Sequence, residues 1–270
     1  MNSRFKTFLL FLIAFIFTAG LVIYQRMSGP TYPIGGKIVI NGETIKYRLL
    51  RTSDDPGDQK IKIKIADTSI KGEFKFRRFK SLDSWSVRQM VREGEYLVAS
   101  VPHQAPAGKV MYFITLNNQQ LNPEPTVLRY KGAVPAFIFI PHVFFIFLAM
   151  FFAVVTVLEA IFKRKNVYLF TWLTVIFFLF SGIILGPLMQ EYAFGALWTG
   201  WPFGHDLTDN KTLVSMITWI IALFVLRKNR ENRIWPIIAF VVMLAVFMIP
   251  HSVLGSEIDY TKAPATEITK

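Results

Sequence analysis

The sequence predicts an α-helical membrane protein with five transmembrane helices, one N-terminal anchor plus a four-helix bundle, and an extracytoplasmic all-β sandwich inserted between them. Three observations predict it. The 270 residues are 53% hydrophobic and 18% charged, against about 45–50% and about 25% in an ordinary soluble domain. The apolar residues gather into five long runs almost free of charge. Between the first and second runs the pattern changes to short alternating strands, a period-2 signal.

The first run, 7–24, follows a short basic start with Arg4 and Lys6. It exceeds the 7–15 residues of a signal-peptide core and lacks an Ala-x-Ala site at its end, so it is expected to stay as an anchor within residues 1–27. Runs 134–162, 167–189, 212–226 and 234–254 build the bundle, 134–254. A crossing needs roughly 20 residues, so the run 212–226 is expected to extend outward through 209–211, with Thr208 or Asp209 as its cap. Lys and Arg of the short loops set orientation. Arg4 and Lys6, then Lys163, Arg164 and Lys165, then Arg227, Lys228, Arg230 and Arg233 fall on one side if five helices alternate. The N-terminus is therefore expected inside, with residues 28–133 and the tail 255–270 outside. Compactness and short loops suggest a bacterial cytoplasmic (inner) membrane.

Residues 28–133 read as seven or eight strands. Segments 37–40 and 44–50 flank Asn41 and Gly42, a strong hairpin signal. From Lys60 to Ile65, Lys alternates with Ile, giving a wet face and a core face. Phe74, Phe76, 96–101, 110–116 and 126–130 continue the pattern. This sandwich resembles immunoglobulin-like or fibronectin-type-III-like modules over about 100 residues, a likeness of pattern that implies no activity.

The net charge of +12 would suggest nucleic acid in a soluble protein, but cytoplasmic anchoring accounts for part of it here. The β domain itself holds 17 Lys and Arg against 10 Asp and Glu. Nucleic acid is excluded as a partner because the domain is expected outside and its aromatics read as core. A solvated face is one explanation of the charge. The other is a docking surface for anionic headgroups or an acidic protein, centred on Arg77, Arg78 and Lys80.

Zero Cys excludes disulfides, thiolate metal sites and a Cys nucleophile. Walker, Gly-x-Ser-x-Gly, His-Glu-x-x-His and Cys-x-x-Cys-His motifs are absent from the sequence. The only acid in the apolar runs is Glu159, expected to pair with Lys163. Without a row of mid-membrane acids, a transporter ranks third. Gly182, Gly186 and Pro187 are expected to kink or thin the third helix.

Two Ile-Pro-His tripeptides stand out, ending at His142 and His251 and expected near the outer face. Such a pair suits a haem b iron, a divalent metal completed by His205 or Asp206, or a quinone headgroup. The plainer explanation is that each His only bonds a neighbouring helix. The outer loop 190–211 is too aromatic and glycine-rich for a solvated connection. It reads either as an interfacial belt with Trp198, Trp201 and Phe203 or as a lid carrying His205 and Asp206 to the pair. The expectation is a non-catalytic membrane accessory or assembly subunit whose basic domain binds a protein partner. A redox-type subunit using His142 and His251 is the alternative.

Overall fold

A computed structural model of the chain describes residues 3–250, 253 and 255–262. The chain forms two compact units, Met1–Pro30 with Val134–Gly255, and Thr31–Ala133 with Ser256–Lys270.

The first unit is helical. Its elements are α1 (Ser3–Ser28), α2 (Ala136–Ile161), α3 (Val167–Phe178), α4 (Gly186–Phe194), α5 (Leu207–Lys228) and α6 (Ile234–Met248). A π-helical stretch, Leu179–Leu185, joins α3 to α4. α1, α2, the continuous segment Val167–Phe194 and α5 are long and apolar enough to cross a membrane, and α6 is a shorter apolar helix. Those lengths and compositions mark a membrane protein. Exposed Phe8, Ile16, Phe144 and Phe224 leave apolar faces outward, while Met150, Phe178, Met216, Trp219 and Met243 form a core. The Trp219 indole N–H donates to Met243 Sδ at 3.1 Å.

The expected irregularity of the third run takes the form of the π stretch. Pro187 lacks an N–H and its ring would crowd the carbonyl four residues back, so a wider turn relieves both. Gly182 is required there, since a Cβ would meet Thr212 of α5 at 2.8 Å.

Three boundaries correct the sequence reading. The fifth run stops being helical at Met248, because Pro250 holds Ile249 extended at ψ 121°. The exposed carbonyls are satisfied from other helices: Tyr24 Oη donates to Met248 O at 3.1 Å and Lys211 Nζ to Ile249 O at 2.9 Å. The cap of α5 is Asp206 rather than Thr208 or Asp209, its carboxyl accepting from the Thr208 N–H at 2.8 Å. Glu159 pairs with Arg164 at 2.6 Å rather than with Lys163. Lys163 adopts φ 50°, so the chain reverses there and the following residue returns over the carboxylate.

The second unit contains eleven strands among the described residues, more than the seven or eight expected. They are β1 (Ile34–Ile40), β2 (Glu43–Leu49), β3 (Thr52–Ser53), β4 (Gln59–Lys64), β5 (Gly72–Arg78), β6 (Ser86–Gln89), β7 (Val91–Glu93), β8 (Tyr96–Val101), β9 (Lys109–Leu116), β10 (Gln119–Gln120) and β11 (Thr126–Tyr130). β1 and β2 form the hairpin at Asn41 and Gly42, both at positive φ as a tight primed turn demands. A six-stranded sheet runs β3-β11-β9-β5-β6, with β10 on β9, and a three-stranded sheet runs β4-β8-β7. All pairs are antiparallel except β3 with β11. One strand changes sheets at buried Met90: β6 pairs with β5, and β7 pairs with β8. Alternating burial sends Ile45, Ile61, Ile63, Phe74, Tyr112, Ile114 and Leu128 into a single core drawn from all three sheets, an arrangement compatible with a sandwich.

Candidate functional site

Strand alternation determines which residues face outward on the six-stranded sheet. In β5, Phe74 and Phe76 point to the core, so Lys75 and Arg77 point away. Their register partners on β9 are Phe113 and Met111, and Lys109 of the same strand pairs in turn with Arg129 of β11. Trp85 lies over this face. Its ring is 5.5 Å from that of Phe113 and receives Lys75 Nζ at 5.3 Å and the Arg77 guanidinium at 4.8 Å. The Arg77 Nε–H also donates to Met111 Sδ at 3.2 Å. Arg78 makes a bidentate pair with Asp83 at 2.7 and 2.8 Å. The structure thus brings Arg77, Arg78 and Lys80 into one neighbourhood and adds Lys75, Lys109 and Trp85, which the sequence reading did not name.

The chain's own tail lies on the edge of this neighbourhood. The Glu257 carboxylate bridges Lys80 Nζ and Lys109 Nζ. Arg129, 7% exposed, donates from Nη2 to Ser256 O at 2.5 Å. The Ile258 N–H donates to Ala107 O at 3.2 Å. Tyr260 Oη donates to Gln104 Oε1 at 2.9 Å, and the Arg78 guanidinium stands 4.6 Å from its ring. Gly108 makes room for that ring, since a Cβ there would approach the hydroxyl to 2.6 Å. The acidic tail beneath a basic domain is the only signal of this contact in the sequence, and it does not reveal the partners.

Burial pushes the Glu257 carboxyl up, but hydrogen bonds from Lys109 and Lys80 outweigh it and hold the group below its ordinary range. A folded value below the unfolded one stabilises docking above the ordinary carboxylate range, and this contribution is lost as pH falls through the depressed value. Arg78 is held above its ordinary value by Asp83 and keeps its charge throughout, and Asp259 is held low by Thr261. A spin label on Lys262→Cys, unique in a chain without Cys, should therefore stay immobilised from pH 8 to 5 and loosen only below about pH 4. Release near pH 6 would contradict this pairing.

The histidine candidates are not assembled among the described residues. His142 Nδ1 lies 3.0 Å from Ser181 O, the carbonyl of the π stretch that also accepts from the Gly186 N–H. A carbonyl can only accept, so Nδ1 carries a proton, and in a neutral ring the lone pair would then sit on Nε2. His205 is exposed in the loop before α5, and Asp206 is engaged as the α5 cap. His251 lies outside the described residues. No group of three His, Asp and Glu is gathered among the described residues.

The loop 195–206 is tied to the first turn of α5. Asp209 Oδ2 accepts from the N–H groups of Thr199 and Gly200 at 2.7 and 2.9 Å, and Asn210 Oδ1 accepts from the Trp201 N–H at 2.7 Å. Gln190 joins with its oxygen accepting from Thr199 Oγ1 at 2.5 Å and its nitrogen donating to Asp209 at 2.7 and 3.1 Å. Trp201 and Phe203 stay exposed, as an interfacial belt would.

No protein-family model, curated protein or solved structure matches this chain.

Proposed function

We propose that the chain is a non-catalytic accessory or assembly subunit of a membrane complex, and that its basic β unit docks a protein partner outside the cytoplasmic membrane of a bacterium. The observation that carries this reading is the outward face on which Lys75 and Arg77 flank the half-buried Trp85 beside Met111 and Phe113, with Lys109 two residues before Met111 on β9. Cations beside partly exposed aromatic and thioether groups suit the docking of an acidic surface.

The packing of residues 256–260 on the β unit supports a five-span topology. A tail on the same side of the bilayer as the β unit requires an even number of crossings between them. α2, the segment Val167–Phe194, α5 and α6 supply four. α6 spans about 22 Å at about 1.5 Å per residue, a length that local thinning and its flanking residues accommodate. The strand pattern supports an immunoglobulin-like sandwich, with the sheet switch at Met90 as its local departure.

The test is a photo-crosslinker at Leu82, 89% exposed beside this face, in the full chain in its native membrane. One stoichiometric adduct is expected, lost when Arg77, Arg78 and Lys80 are changed to Glu and retained in His142→Ala. An adduct that survives charge reversal would overturn the reading. A second reading, a redox-type subunit with haem, metal or quinone at His142 and His251, is favoured by the Nδ1 bond to Ser181 O, which in a neutral ring leaves the lone pair on Nε2 as a metal ligand needs. Loss of the adduct in His142→Ala alone would favour it.

A further inference from the structure

The tail contact has the anatomy of ligand recognition. Over five residues it engages a carboxylate, two main-chain groups and an aromatic ring, each met by a different part of the β unit. Glu257 sits between lysines from β9 and from the turn after β5. The main chain is read at Ser256 O by Arg129 of β11 and at the Ile258 N–H by Ala107 O. Tyr260 occupies the space left by Gly108, under Arg78 and bonded to Gln104. Asp259 bonds its own neighbour Thr261 and contributes only its charge near Lys80. A solvated charge pair needs none of the last three features, and a fitted aromatic with main-chain contacts gives register as well as attraction.

We propose that this is a peptide-binding site, that residues 256–260 are its resident ligand, and that it accepts from a partner protein an acidic segment with a carboxylate and, three residues later, an aromatic ring. The tail and the partner segment compete for the same lysines and the same glycine-floored space, so the tail gates docking. The proposal rests on the docking reading above and specifies its partner chemistry. Bound in cis, the tail enjoys a high effective concentration, which a free segment must overcome. A partner therefore engages strongly only when it also contacts the Trp85 face next to the tail.

The probe is a fluorescein-labelled synthetic peptide of residues 256–262, measured by anisotropy against the full chain in detergent. The full chain should bind it weakly, because its own tail is in place. A chain ending at Gly255 should bind at least tenfold more tightly, and so should full-length Glu257→Lys, which expels the tail without shortening the protein and carries the test if truncation impairs folding. Lys80→Glu with Lys109→Glu in the truncated chain should abolish the gain. Peptides carrying Glu257→Lys or Tyr260→Ala should bind at least tenfold more weakly than the parent. Equal binding by full-length and tail-free chains would overturn the proposal, as would equal binding of a scrambled peptide of the same charge. Peptide binding as expected with no Leu82 adduct in the membrane would leave the site standing and remove the accessory reading. An adduct that forms equally with and without the tail, with no peptide binding, would do the reverse.

Discussion

Arg164→Ala should destabilise the helical unit by about 3 kcal/mol, the lower end of the cost of stripping one partner from a buried ion pair. The Glu159 side chain is 1% exposed and that of Arg164 26% exposed, with Nε and Oε1 2.6 Å apart. The carboxylate also accepts from the Asn166 N–H at 3.2 Å, which starts α3 directly after the turn. Arg164 in addition reaches Thr7 Oγ1 of α1 at 2.5 Å. The Arg164–Glu159 pair therefore ties the ends of three helices, and Ala leaves a buried carboxylate whose remaining partner is the Asn166 N–H. Lys163→Ala and Lys165→Ala should stay within about 0.5 kcal/mol, as surface changes do. Arg164→Lys should recover part of the loss, since an ammonium carries the charge without the planar fork. Thermal unfolding in one detergent, with the variants side by side, reads all four. Equal losses for Lys163→Ala and Arg164→Ala would show that Glu159 takes its cation from the (i, i+4) position after all.

That contrast illustrates what the chain made legible and what it did not. Long-period information survived well: each apolar run carries helix, though the third is interrupted by the π stretch and the fifth stops at Met248, and the Lys–Ile alternation of 60–65 became β4 with its isoleucines in the core. Local periodicity is enough there because burial on one face fixes both element and register. The errors fall where the chain turns. At Glu159 the (i, i+4) rule assumes a continuing helix, and a left-handed Lys163 ends it. At α5 residue type pointed to Thr208 or Asp209 as the cap, and the path of the preceding loop puts Asp206 there instead. At Met90 a strand moves between sheets, an event decided by which neighbour's edge is open and not by anything in the pattern of 86–93. Sequence composition placed a basic surface on the β unit, and Arg77, Arg78 and Lys80 do lie there. It could not identify Lys109, Arg129 and Gly108 as their companions, because those belong to strands brought alongside only by long-range pairing.

Asp209→Ala should cost about 3–4 kcal/mol, the second large effect expected in this chain. Asp209 is 6% exposed, and one of its oxygens accepts from two successive backbone N–H groups, those of Thr199 and Gly200. Gly200 is buried against it so closely that a Cβ would come within 2.5 Å of the Asp209 Cβ. Water has little room to replace the lost acceptor, and each stranded donor costs about 1–3 kcal/mol. Asp206→Ala removes the capping bond to the Thr208 N–H and should cost about 1 kcal/mol, which makes it the internal standard. Asp209→Asn keeps an acceptor oxygen and should fall between the two. Trp198 and Trp201 sit in the loop that these bonds fasten, and the Trp198 indole N–H donates to Trp201 O at 3.1 Å. Freeing the loop should shift tryptophan emission to longer wavelength and open 195–206 to proteases before global unfolding. If Asp209→Ala proved no worse than Asp206→Ala, with emission unchanged, the loop would be held by its apolar contacts. The polar bonds to α5 would then set only its path.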